Sequence, residues 1–375
     1  MRNPELIVIQ PTPFCNINCE YCYLNDRANR SVMSNEVVCA IRDKILGQLD
    51  PSCTATIIWH AGEPTALPLR WYENAYNQFV GCIPSGTVFA MQTNGVSLSA
   101  PWVKFLQQTR TRVGLSIDGP QCWHDDRRKT KRGGPTWHLA VRSLKLLQSA
   151  GLTPNVITVL HPDGVFHPRD YFDFYRSHDL TEVSFSIDEF EGANRTSRMG
   201  APDFKQPIVS FLESLMNMGL SENYPLRIRE VERISFCLAS GVSAPNEQVE
   251  PWKVITIGYN GDVSTFSPEF MEAKSSQFNN FCFGNILDGN LESFSQSPLF
   301  QEVSLAIGEG VDVCRRDCRY FSVCGGGAPI NKWTENASLK STETQFCRNS
   351  VQASTDALLS FISRAAEASY MSANG

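Results

Sequence analysis

The chain has 375 residues, of which 42% are hydrophobic, and a net charge of −6. Such a chain can hold two domains, or one large domain with an appendage, around a sizeable core, and its acidic balance speaks against a dedicated nucleic-acid binder. No apolar run approaches the roughly 20 residues of a membrane helix, and the opening MRNPELIVIQPTPF carries no signal-peptide pattern.

A cytoplasmic protein with no membrane and no nucleic-acid partner is therefore expected. Thiols stay reduced in that compartment. Thirteen cysteines then call for metal, redox chemistry or burial, since a chain this long needs no disulfide staples.

Short β-rich runs recur along the first half: ELIVIQ (5–10), TIIW (56–59), VFAMQ (88–92), VGLS (113–116), NVITVL (155–160) and VSFSI (183–187). Helical patterns lie between them at 35–49, 70–82, 101–109, 137–150 and 168–178. Near-continuous apolar strands alternating with helices predict an α/β fold with a helix-covered parallel sheet. Six such units suit a partial or full barrel, over 1–192. The basic run RRKTKR at 127–132 reads as a solvated loop. Residues 193–236 read as a helical connector. From 237 to 350 come short strands, many glycines and six further cysteines, a second and smaller α+β domain. A C-terminal helix and tail occupy 351–375, with the last few residues expected to fray.

The strand ends carry the unusual residues. FCNINCEYCYL (14–24) follows the first strand, HAGEP (60–64) the second and TNG (93–95) the third. SIDGP (116–120) ends the fourth and DEFEG (188–192) follows the sixth. Ligands in parallel α/β folds bind at the carboxyl ends of strands, so these clusters converge on one face. Cys15, Cys19 and Cys22 give three thiols and no fourth. A structural zinc site wants four ligands, whereas a cubane on three thiolates leaves one iron open. Zinc with a distant fourth ligand is the competing reading. Further on, Cys314, Cys318, Cys324 and Cys347 can close one iron–sulfur or zinc site completely. Cys39, Cys53, Cys82 and Cys122 read as ordinary buried or loop cysteines.

C-x3-C-x2-C with Tyr21 before its last cysteine, followed in order by GEP, TNG and S-x-D-G, resembles the signature of radical S-adenosylmethionine (SAM) enzymes. The resemblance implies a partial (β/α)6 radical SAM barrel with a [4Fe–4S] cluster on Cys15, Cys19 and Cys22, whose open iron the amino and carboxylate groups of SAM chelate. Gly62, Glu63 and Pro64 would receive the SAM ammonium. Tyr21 would lie near the adenine, Asn94 and Ser116 near the ribose and methionine, and Arg128 against the SAM carboxylate. The C-terminal cysteines with CGGGAP (324–329) resemble the SPASM domain, which adds auxiliary clusters to peptide-modifying members. Phe266 and Ala328 stand where further ligands would be, which leaves Cys237 and Cys282. One complete auxiliary [4Fe–4S] cluster is therefore expected, and a second is not.

PTPFCNINCEYCYL, WHAGEPTAL, STFSPEF and CGGGAPINKWTENASLKSTETQFC resemble the cyclophane-forming maturases of glycine-rich repeat modification systems (GrrM). That resemblance implies a ribosomally made precursor peptide as substrate and a flavodoxin or ferredoxin as electron donor. The product would join an aromatic ring carbon to a side-chain β-carbon. Asp188, Glu189 and Glu191, at the end of the sixth strand, are candidate bases. No separate leader-recognition domain is expected ahead of the barrel. Other radical SAM peptide modifications compete: thioether crosslinking, epimerisation or sulfatase-type formylglycine formation. A non-catalytic, metal-bound peptide scaffold is the alternative from another class.

Overall fold

Residues 3–199 and 204–374 are described by a computed structural model. The strands in chain order begin with β1 (Leu6–Ile9), β2 (Ile17–Cys19), β3 (Thr56–Trp59) and β4 (Val88–Thr93). Next come β5 (Arg112–Ser116), β6 (Arg128–Thr130), β7 (Asn155–Val159) and β8 (Glu182–Ser186). The last are β9 (Arg227–Ile228), β10 (Val254–Ile257), β11 (Asp262–Thr265) and β12 (Gly284–Asn285). Ten of them form one sheet in the order β12-β11-β10-β1-β3-β4-β5-β7-β8-β9.

The six strands read from sequence are its parallel centre, β1-β3-β4-β5-β7-β8. The sheet has two free ends, so the barrel is partial. The five expected helices are present as Asn35–Lys44, Leu69–Phe79, Ala100–Gln108, Trp137–Ser149 and Pro168–Ser177. Local chemistry explains several starts. Ser34 accepts a hydrogen bond from Val37 N, and prolines open the third and fifth helices, where a missing N–H is harmless. Ile7, Ile9, Ile57, Trp59 and Met91 are buried on the helix-covered side.

Three features were not legible beforehand. First, β10 pairs in parallel with β1, so the C-terminal region continues the barrel sheet. Second, the cysteine loop itself forms a strand: β2 pairs antiparallel with β6, with Cys19 opposite Arg128. Third, the run RRKTKR is solvated only in its later part, where Lys129, Lys131 and Arg132 are exposed. Arg127 is 2% and Arg128 6% exposed, because each finds a buried aspartate. The expected connector contains two helices, Lys205–Ser221 and Arg229–Ser240; part of it, 200–203, lies outside the described residues. The C-terminal helix runs Ala353–Asn374, through the end expected to fray, and residue 375 lies outside the described residues.

Phe266 occupies the position where a further cluster ligand would stand, and it is fully buried. Its ring packs 6.4 Å from Phe283 and 6.3 Å from Phe300, and Trp252 stacks on Phe300 at 5.0 Å. Its φ of +75° is a conformation that costs a bulky residue about 1–3 kcal/mol, tolerated where packing over-determines it. Cys237 lies in the apolar core and the Cys282 thiol donates to Gly284 O. Phe266→Ala should therefore lower the unfolding free energy by about 3–5 kcal/mol in chemical denaturation, with iron content unchanged.

Candidate active site

The cysteine loop is seated by the loop after β3. Gly62 adopts φ +54°, and a Cβ there would meet Thr12 O at 2.5 Å and Phe14 O at 2.6 Å, so only glycine allows this contact. Glu63 N donates to Phe14 O at 2.8 Å. The buried Glu63 carboxylate accepts from Thr65 N (2.9 Å), Thr65 Oγ1 (2.6 Å), Thr93 Oγ1 (2.6 Å) and Asn94 N (2.8 Å). It thus ties the HAGEP loop to the TNG loop. Asn94 in turn donates to Asn16 Oδ1 at 2.8 Å, with Nδ2 3.8 Å from Cys15 Sγ.

The other side of the loop rests on Asp118. Its Oδ2 accepts from the Tyr21 hydroxyl at 2.5 Å and lies 2.9 Å from Arg128 Nε. Its Oδ1 accepts from Val159 N at 2.9 Å. Arg127 stacks over the Tyr21 ring at 4.2 Å. Arg128 Nη1 reaches Cys19 Sγ at 3.8 Å. Although burial alone would raise it, Arg128 and its neighbours hold the Asp118 carboxyl below the usual aspartate range.

A cavity of about 310 Å³ gathers most of the expected residues: Cys15, Cys19, Cys22, Tyr21, Gly62, Glu63, Asn94, Ser116, Arg128, Glu189 and Glu191. Ser116 Oγ accepts from Gln92 Nε2 at 2.8 Å. Pro64 sits behind the wall, buried, its carbonyl taking the Tyr72 hydroxyl at 2.9 Å. Asp188 does not line this cavity. It pairs with Arg127 at 3.5 Å and accepts from Asn194 at 2.8 Å, an anchoring role. Glu269 joins Glu189 and Glu191 in the wall and was missed, because a glutamate in SPEF carries no local signal of burial. Glu189 accepts from Asn331 at 2.6 Å, whereas the buried Glu191 Oε1 has no protein partner.

Burial pushes the Cys15 thiol up to about 12 and the Cys19 thiol to about 11 and raises Cys22 as well. The bare site therefore holds protons that a metal must displace. Three thiols around one cavity, with a cationic guanidinium beside one of them, suit an anionic cluster with an open position. Among the described residues no three His, Cys, Asp or Glu side chains are set to share one metal ion; cubane thiolates each take a different iron.

The second cysteine group also meets at one place. Cys314 is near the end of helix Pro298–Asp317, with Cys318 at its C-cap. Cys324 closes the short helix Phe321–Cys324, which ends in left-handed glycines at 325, 326 and 327. Cys347 stands on the turn Gln345–Cys347, capped by Thr344. All four line a cavity of about 350 Å³. Gly327 N donates to Cys324 Sγ at 3.1 Å, a bond that the glycine run leaves free to form. A third cavity of about 330 Å³ shares Ser186 and Glu189 with the first and Cys324, Gly327 and Cys347 with the second.

Residues 9–174 match the Radical SAM superfamily. An uncharacterized protein of Synechocystis sp. (strain ATCC 27184 / PCC 6803 / Kazusa) is 33% identical over 359 residues, covering 93% of this chain and 89% of that one. A serine-type anaerobic sulfatase-maturating enzyme of Bacteroides thetaiotaomicron is 31% identical over 192 residues, 49% of this chain and 46% of its own. The solved structure of native anSMEcpe with bound AdoMet and Cp18Cys peptide shares the fold. Its TM-score is 0.78 at 19% identity, covering 97% of this chain and 99% of that one. The chain belongs to the radical SAM superfamily and is a SAM-dependent iron–sulfur enzyme. Among the described residues no helix is long and apolar enough to cross a membrane.

Two measurements bear on this site. Asp118→Asn leaves the buried Arg128 charge uncompensated and should cost about 3–5 kcal/mol in urea unfolding of the metal-free chain. Purified without oxygen, the chain should carry about eight irons, one cubane per cysteine group; zinc alone, even after reconstitution, would remove the cluster assignment.

Proposed function

We infer that this enzyme modifies a ribosomally made precursor peptide, forming a three-residue cyclophane between an aromatic ring carbon and a side-chain β-carbon. The observation that carries this reading is the pair Glu189 and Glu191. Both line the three-cysteine cavity, Glu191 buried and Glu189 half-buried, and Glu189 also lines the third cavity together with Cys324 and Cys347. The likeness of STFSPEF and CGGGAPINKWTENASLKSTETQFC to the glycine-rich repeat maturases supports the choice of product. The peptide bound in the structural neighbour supports the choice of substrate.

SAM and the clusters, when bound, supply a hydrogen-abstracting radical and a sink for one electron. The chain's residues do the rest. Tyr21, Asn94, Ser116 and Arg128 line the SAM pocket. The Gly62–Pro64 loop offers backbone groups to the SAM ammonium, since the Glu63 carboxylate already accepts four hydrogen bonds. The third cavity, reaching from Ser186 to Cys347, gives an extended peptide a path to the first.

Crosslinking removes two hydrogens: one from the β-carbon as an atom, one from the ring as a proton and an electron. The proton needs a base. Burial raises Glu189 and Glu191, and Glu269 opposes the charged form of both. The upward shift makes the ionised form of each a stronger proton acceptor than an ordinary carboxylate, while lowering the fraction that is ionised. Asp188, paired with Arg127 outside the cavity, is withdrawn as a base. A flavodoxin or ferredoxin is the proposed electron donor.

Sulfatase-type formylglycine formation is the second reading, favoured by the 31% identity with the Bacteroides enzyme over 192 residues. Co-expression with the precursor peptide and fragmentation mass spectrometry separate the two. A crosslink appears as the loss of two hydrogens with backbone cleavage suppressed between the joined residues. Formylglycine appears instead as an aldehyde that hydroxylamine captures. Glu189→Gln and Glu191→Gln should both still form 5′-deoxyadenosine. In the variant lacking the base, crosslinked product should fall by about 10²-fold or more; full crosslinking in both would exclude these carboxylates as the base.

A further inference from the structure

The cavity of the four C-terminal cysteines holds a buried cation. Lys332 is 3% exposed, and its ammonium lies 2.9 Å from Gly310 O and 3.3 Å from Cys314 Sγ. Glycine at 310 makes the approach possible: a Cβ there would meet Leu339 O at 2.3 Å and Lys332 Nζ at 3.2 Å.

Among the described residues no carboxylate pairs with this charge. The lysine ion pairs among the described residues use Lys205, Lys253 and Lys340. Two acidic residues line the same cavity, and both are engaged elsewhere. Asp317 pairs with Arg316, and Glu343 with Arg348 and Gln352. An ammonium removed from water without a counter-charge is strongly disfavoured. The groups placed to supply one are the thiols, which become thiolates when they bind metal.

We propose that Lys332 is a positioning residue for the auxiliary cluster, the fixed counter-charge that makes a [4Fe–4S] centre on Cys314, Cys318, Cys324 and Cys347 easier to reduce. A cation against a cluster sulfur in a water-poor site favours the more negative, reduced state. The centre is thereby suited to receiving the electron that crosslinking releases. This rests on the reading of those four cysteines as an iron–sulfur site; zinc there would leave nothing to reduce.

The test compares the reconstituted full chain with Lys332→Met, Lys332→Gln and Lys332→Arg in redox titrations followed by electron paramagnetic resonance. The auxiliary midpoint potential should shift downward in the Met and Gln variants and stay near wild type in Arg, while the barrel cluster does not move. A shift in Met but not in Gln would assign the effect to hydrogen bonding and overturn the charge argument. Unchanged potentials with about eight irons would sink this inference alone. About four irons in the wild type would sink the cluster reading beneath it. Thermal unfolding of the metal-free proteins gives a separate readout if a variant does not load. Removing an unpaired buried charge should leave the Tm of Lys332→Met equal to or above wild type; a lower Tm would make Lys332 a structural pin and refute the proposal.

Discussion

The buried pair Asp118–Arg128 is the constraint on which the barrel site depends. One carboxylate holds the end of β5 against Val159 at the end of β7, receives the Tyr21 hydroxyl, and neutralises the arginine that faces Cys19. Arg128 also opens β6, the strand that pairs with the cysteine loop. Neither charge could be buried alone at tolerable cost. Together they hold one flank of the cysteine loop, while the other flank is met by Glu63 N–H at Phe14 O and by Asn94 at Asn16.

The central fold was legible because its signals are local. Four- to six-residue β-branched runs alternating with amphipathic stretches specify β/α units whatever the neighbours do. The cysteine spacing, GEP and TNG gave the cavity wall nearly complete. What the sequence hid depends on tertiary burial. RRKTKR has the composition of a solvated loop, and Asp118-Gly119 that of a turn. Only the pairing of distant residues turns them into an inner charge network. VITI at 254–257 is too short to announce itself, and its partner β1 lies nearly 250 residues earlier. Glu269 and Lys332 look like ordinary surface residues in sequence; tertiary packing half-buries the first at the barrel cavity and buries the second at the C-terminal one.

The two cysteine sites differ in electrostatic character. The barrel cavity sets three carboxylates, Glu189, Glu191 and Glu269, opposite thiols that Arg128 partly offsets. The C-terminal cavity sets one ammonium against its thiols and directs its acids outward. A proton acceptor is favoured at the first and an electron acceptor at the second. An oxidative ring closure must dispose of one proton and one electron separately, and the third cavity has both Glu189 and Cys324 in its lining.

Aromatic packing around Phe266 secures the sheet extension. In the β10–β12 region four rings from Trp252, Phe266, Phe283 and Phe300 interlock at 5.0–6.4 Å. Ring packing of this kind holds strands together without metal, and it tolerates the left-handed backbone that Phe266 must adopt. Packing thus secures the sheet extension next to β1, and the proposed role of electron acceptor falls to the four thiols that line one cavity, Cys314, Cys318, Cys324 and Cys347.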